Sequence, residues 1–218
     1  MLFYVDHKSH FGRNTGVQRT VRAIAKGLIE IGVPLQPVLW DWQNGGFIAP
    51  SRQRLEHLSR WNGPSVTAWS SRATEESTPF HPMDGWLMIA ELVTGTEPLR
   101  QAADALGLRV CWLFHDAIPI RFAHLYGDRG PAMRRQHEVY MDGFARFEAV
   151  VPNSKTTADH LIAHLQQRGL RHDHVSPLPL ATEFGGVPRS SPPAIMRDES
   201  QPWHLLCVGS LERRKNHL

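Results

Sequence analysis

The chain has 218 residues, 41% of them hydrophobic, with 24 Lys and Arg against 21 Asp and Glu for a net charge of +3. That is enough apolar material for one large core, which sets aside an intrinsically disordered polyelectrolyte and a small disulfide-stapled module. The basic residues form no continuous stripe for nucleic acid, no apolar run approaches the ~20 residues of a spanning helix, and no signal peptide opens the chain, so a soluble cytoplasmic protein is expected, at most peripheral on the inner face of a membrane.

Leu2, Phe3, Tyr4 and Val5 make a short β-rich run that ends in Asp6 and His7, the pattern of a first buried strand. A loop with Gly12 and Gly16 follows. Val17, Val21, Ile24, Ala25, Leu28 and Ile29 then fall on one face of a helix. Strand, glycine-bearing loop and helix in that order put free peptide N–H groups beside Gly16, where a phosphate is favoured; a tight turn explains the same glycine equally well. The spacing is not GxGxxG, so no dinucleotide fingerprint is present. Gly32, Val33 and Pro34 end the helix, and residues 35–40 predict a second strand joined to the first by a crossover helix.

Between residues 41 and 82 the periodicity dissolves, apart from a helix over 52–60. Trp42, Trp61 and Trp69 lie in this stretch. Aromatics on a long loop suit stacking against sugar faces, and tryptophans also fill cores, so both readings stand.

Residues 85–90 predict another strand, and 97–106 a helix closed by Gly107. The run 109–114 is apolar almost throughout, as in a strand covered on both faces, and delivers His115 and Asp116 to its carboxyl end. Open α/β sheets hold their ligands at that edge. An imidazole there suits a sugar hydroxyl or a phosphate, while Asp116 suits either fixing its tautomer or capping the next segment. A turn at 117–120 and a break at 126–131 lead into a helix reaching about residue 147, with Pro131 in its first turn.

Residues 148–152 predict the next strand, followed by Asn153 and by Ser154, which is placed to cap a helix over 157–168. His160 and His164 have the spacing of a metal pair, but with no zincin glutamate and no third ligand they read as a helix face. Residues 175–180, interrupted by Pro177 and Pro179, predict an edge strand. Cys111 and Cys207 both fall inside expected strands and read as reduced core thiols.

The composition divides the chain into an N-terminal α/β domain over 1–184, a Pro/Ser/Gly-rich linker over 185–202 and the start of a second domain over 203–218. In that last segment Leu205 to Val208 reads as a buried strand that hands over, through Gly209 and Ser210, to a basic cluster at a helix entry. Peptide N–H groups with Arg214 and Lys215 beside them suit a phosphate; a solvated charge cluster is the plainer alternative.

Val208-Gly209-Ser210-Leu211-Glu212-Arg213-Arg214-Lys215-Asn216 resembles the segment that opens the donor-binding domain of the retaining glycosyltransferases of the GT-B fold, family 4. Three further stretches fit the same family in the same order: Thr15-Gly16-Val17-Gln18-Arg19, Phe114-His115-Asp116-Ala117-Ile118-Pro119 and Val151-Pro152-Asn153-Ser154-Lys155. The resemblance covers nearly the whole chain. It implies a doubly wound, parallel, Rossmann-like sheet forming the N-terminal half of such an enzyme, with the first strand and loop of its partner domain.

The activity so implied is transfer of a hexosyl residue, a mannosyl residue among the candidates, from a nucleotide sugar such as GDP- or UDP-hexose to a glycan or lipid-linked acceptor, with retention at the anomeric carbon. Surface polysaccharide or glycolipid synthesis is the usual setting. By the resemblance Gly16, Arg214 and Lys215 bind the donor phosphates, His115 holds the donor sugar near the reacting carbon with Asp116 as the second catalytic candidate, and Asn153 and Ser154 face the interdomain cleft. Neither a metal nor a further cofactor is expected, and nucleic acid is not a partner. Two departures stand out: Ser210 replaces a frequent phosphate-binding arginine, and the family's donor-holding carboxylates, which lie further downstream, are absent. A non-catalytic fragment or an acceptor- or partner-binding module lacking its donor domain is the alternative.

Overall fold

Alternating side chains along each strand send apolar groups to both faces of one sheet, and the helices divide between those faces. The computed structural model describes residues 1–7, 9–69, 85–93 and 95–179. The expected linker and the 203–218 segment, with Cys207, Arg214 and Lys215, lie outside the described residues. The strands are β1 (Leu2–Tyr4), β2 (Gln36–Asp41), β3 (Gly46–Ile48), β4 (Gly85–Ile89), β5 (Leu108–Phe114) and β6 (Ala149–Pro152). They lie in the order β3-β2-β1-β4-β5-β6, parallel except for the β2–β3 hairpin.

Phe3, Leu39, Met88 and Leu113 point to one face, under α1 (Gly16–Glu30) and α2 (Arg52–Ser59). Tyr4, Leu87, Ile89, Trp112 and Phe114 point to the other, under α3 (Thr96–Ala105), the single turn α4 (Ile118–Arg121), α5 (Gly130–Gly143) and α6 (Lys155–Gln167). This is a Rossmann-like α/β sheet with helices on both faces, in agreement with the sequence reading. β5 lies between β4 and the edge strand β6, and Val110, Trp112 and Phe114 are fully buried on its α3/α5 side.

The sheet departs from the sequence reading at both edges. β3 was not foreseen: the Asp41 carboxylate accepts from the backbone N–H of Gln43 at 2.9 Å and of Asn44 at 3.2 Å, and Gly45 takes φ 70, so the chain turns back at once. At the other edge, the described part of the expected 175–180 strand, residues 175–179, forms one bridge, Val150 with Val175, extended by Ser176 N–H to the Val150 carbonyl and Leu178 N–H to the Pro152 carbonyl. Pro177 and Pro179 have no N–H to continue a ladder. α5 stops at Gly143, short of residue 147, and continues as a tighter turn over Phe144–Arg146.

The strand order reverses between β1 and β4. From β1 the chain crosses through α1 toward β2, and from β4 it crosses the other way through α3 toward β5. A crevice opens at the carboxyl ends of the strands where the crossovers part, and ligands bind there in open α/β sheets. No described helix is long and apolar enough to cross a membrane.

Candidate functional site

A cavity of about 530 Å³ occupies that crevice, under the first turn of α1. Tyr4, Asp6 and His7 reach it from the end of β1, Thr15 and Gln18 from the start of α1, Trp42 from the β2–β3 turn and Glu91 from the end of β4. Asp6, His7 and Glu91 arrive there because β1 and β4 have just run out of buried apolar positions.

Two carboxyl groups set its chemistry. Glu91 is wholly buried, and its Oε2 accepts the His7 backbone N–H at 3.0 Å. Burial pushes the Asp6 carboxyl above its ordinary range; Arg54, His10, a hydrogen bond from Trp42 and His7 pull it back. The Tyr4 hydroxyl is bonded to the Asp6 carboxyl, and burial, reinforced by Asp6 and Glu91, raises its pKa so far that it stays protonated.

The loop between β1 and α1 forms one wall and is fastened from behind by α2. His57 Nε2 donates to the Phe11 carbonyl at 2.9 Å, and Arg54 Nη1 donates to Ser9 Oγ at 3.0 Å. His10 Nδ1 lies 2.6 Å from the same Arg54 nitrogen and 2.9 Å from the Asp6 carbonyl. At the entrance Gln18 accepts the Thr15 backbone N–H with its side chain, which fixes the first turn of α1.

Aromatic side chains complete the cavity. Trp42 is 80% exposed at its rim, and Phe11 lines its wall. Carboxylates that accept hydroxyl hydrogens, beside an exposed indole on which C–H faces can stack, make a surface suited to a neutral polyhydroxyl ring. An anion at the same spot would face two carboxyl groups.

The other two tryptophans of the 41–82 stretch go elsewhere: Trp69 is core, packed against Phe3, and Trp61 lies under the guanidinium of Arg22.

The described candidates from the sequence, Gly16, His115, Asp116, Asn153 and Ser154, lie at the carboxyl edge of the sheet, and of these Gly16 borders the cavity. Gly16 stands between the lining residues Thr15 and Val17, and a Cβ built on it would meet nothing within 4 Å. His115, 7% exposed, turns its Nε2 to the Ala90 carbonyl at 2.8 Å, one residue before Glu91. Asp116, one residue before the N-cap of α4, accepts the Ile118 N–H at 3.0 Å, while its own carbonyl accepts from His137 Nε2 at 2.9 Å. Ser154 caps α6 through the Thr157 N–H at 3.1 Å, and the Asn153 N–H prolongs the ladder to the Phe114 carbonyl at 3.2 Å.

His164 donates to Asp142 at 2.8 Å, in keeping with the helix-face reading of the His160/His164 pair. Among the described residues no group of three or more His, Cys, Asp or Glu side chains is arranged to hold a metal ion. Burial raises the Cys111 thiol to about 11, which makes it a poor nucleophile.

Glu91 and Asp6 are lining groups that sequence reasoning did not assign to a site, whereas Trp42 is one of the three tryptophans it offered for stacking on a sugar. Glu91 carries the same signal as His115, a polar group directly after a buried apolar run, and Asp6 and His7 carry it after β1. Comparison with protein-family models, with curated proteins and with solved structures finds no match to this chain.

Proposed function

We propose that the chain is the acceptor-side domain of a retaining, nucleotide-sugar-dependent glycosyltransferase of GT-B type, family 4, followed by the opening of its donor domain. The enzyme moves a hexosyl residue from a GDP- or UDP-hexose to a glycan or lipid-linked acceptor. The observation that carries this reading is the cavity at the strand-order reversal, where Asp6, Glu91 and Trp42 offer hydroxyl acceptors and a stacking face beside the glycine that opens α1. The motif order in the sequence supplies the family.

In this reading the acceptor saccharide sits against Trp42, and its hydroxyls are held by Asp6 and Glu91. His115, braced on the Ala90 carbonyl, faces the donor sugar from the carboxyl end of β5. Charge that builds on the departing diphosphate is met by the first N–H groups of α1 near Gly16 and by Arg214 and Lys215. The activity of this 218-residue chain by itself is part of the test.

The test has two arms. Oligosaccharides and methyl hexosides are titrated into the chain while tryptophan emission is followed, and UDP- and GDP-hexoses are titrated calorimetrically. Where coding sequence continues past Leu218, both titrations are repeated on the longer product. Saturable saccharide binding lost in Trp42→Ala, with donor binding weakened by Lys215→Ala, supports the reading. Absence of both overturns it.

A further inference from the structure

Arg22, on the second turn of α1, is buried with most of its hydrogen-bonding capacity unmet. It is 2% exposed. Its Nη1 donates to Asn14 Oδ1 at 3.0 Å, but Nε and Nη2 are shielded from water with no hydrogen-bond partner among the described residues. No described carboxylate forms an ion pair with it; Glu91 acts on it only through its field, against the larger effect of burial. Nε and Nη2 share one edge of the planar fork, the edge that grips two oxygens of one oxyanion.

The turn that packs against the Arg22 side chain is held out of the ordinary backbone conformation. Trp61 and Asn62 are consecutive non-glycine residues with φ 53 and 64, in the left-handed region that side chains avoid. The Trp61 ring centre lies 4.7 Å from the guanidinium carbon, and Lys26 Nζ donates to Asn62 Oδ1 at 2.9 Å. Gly63 closes in tightly, since a Cβ there would fall 2.0 Å from the Leu58 carbonyl oxygen and 3.2 Å from Arg22 Cδ. Cations gather near the turn: Lys26 stands at its rim, paired with Glu30 at 4.0 Å, and, after burial, Arg60, Arg22 and His10 all act to lower the His57 imidazole. Strained backbone over an unmet buried donor pair marks a place shaped for something other than folding alone.

We infer that Arg22 is the anion-binding side chain of a separate site, covered by the 60–63 turn, that takes a phosphate or a phosphomonoester. The site is distinct from the saccharide cavity and does not depend on the glycosyltransferase reading. Asn14 links the two, since it bonds Arg22 and stands one residue before Thr15, which lines the cavity. A sugar phosphate is therefore one source of the anion and free phosphate the other.

Inorganic phosphate and, separately, a hexose 1-phosphate are titrated into the 218-residue chain at constant ionic strength, with calorimetry and melting temperature as readouts. Saturable phosphate binding is expected, weakened at least about tenfold in Arg22→Lys, which keeps the charge but loses the fork, and abolished in Arg22→Met. Tighter binding of the hexose phosphate assigns the anion to a sugar ligand; equal binding assigns it to free phosphate. Lys26→Ala, an exposed substitution that leaves the core untouched, is expected to weaken binding by a smaller factor and keeps the test intact if an Arg22 variant fails to fold. The inference is overturned if the parent shows no saturable response up to about 10 mM phosphate, or if its affinity survives unchanged in Arg22→Lys and Lys26→Ala, the behaviour of an adventitious ion only.

Discussion

Asp6 stands at the end of β1 with Tyr4 and Trp42 bonded to its carboxyl, and burial holds its titration above the ordinary carboxylate range. The folded chain therefore keeps the Asp6 proton where the unfolded chain, with a pKa of about 3.9, has lost it. Stability contributed by this group falls as pH rises from that value through the folded pKa and stays lower at neutral pH. Asp6→Asn removes the charge and leaves an acceptor for Trp42. The variant is expected to resist urea at least as well as the parent at pH 7, to lose that advantage by about pH 4, and to bind saccharide roughly tenfold more weakly. Lower stability than the parent at pH 7 would mean that the ionised contacts with Arg54 and His10 outweigh burial. Trp42 separates the two effects from the other side: its ring is in solvent but its N–H serves the Asp6 carboxyl, so Trp42→Ala should cost about 1 kcal/mol in stability and still abolish the saccharide-dependent change in emission.

Ends decide the elements of this fold, and ends written in local chemistry were legible. Gly32 closes α1 with φ 86, its N–H on the Ile29 carbonyl and the Val33 N–H on the Leu28 carbonyl, the six-to-one closure that favours glycine. Ser154 caps α6 as its sequence position foretold, so Ser154→Ala should cost about 1 kcal/mol in urea denaturation; a loss below measurement would mean that the first turn is held by other donors and acceptors. Where a contact between distant elements sets the geometry, the sequence offered no sign. Gly143 looks ordinary in the chain, yet a Cβ there would lie 2.2 Å from Oγ1 of buried Thr96, so α3 and α5 meet on it. Gly143→Ala should cost about 1–3 kcal/mol by forcing them apart, measured as a fall in urea midpoint with an unchanged slope. β3 escaped for a related reason: three residues carry no period, and the Asp41 turn alone folds them back.

For the whole molecule, the sequence showed which residues end up at the carboxyl edge of a sheet but not which strands lie side by side. Asp6 and Glu91 are far apart in the chain and share a cavity only because β1 pairs with β4, a long-range choice that no local pattern encodes. The same edge is held together by two histidines whose burial favours the neutral imidazole. His137 ties α5 to the end of β5 through the Asp116 carbonyl, and His57 ties α2 to the cavity wall through Phe11. Burial is the largest cause lowering both imidazoles, so below about pH 6.5 the unfolded chain takes up protons that the folded chain resists. Their contribution is complete above that value and is lost progressively as pH falls, whereas the Asp6 contribution grows as pH falls toward 4. Urea midpoints should therefore drop between pH 7 and pH 5, and His137→Gln, which keeps a donor toward Asp116, should flatten that drop. Measuring the profile of Asp6→Asn with both histidines in place removes the opposing carboxyl. A pH profile that stays flat there would show that neither imidazole is resisting protonation in the folded chain.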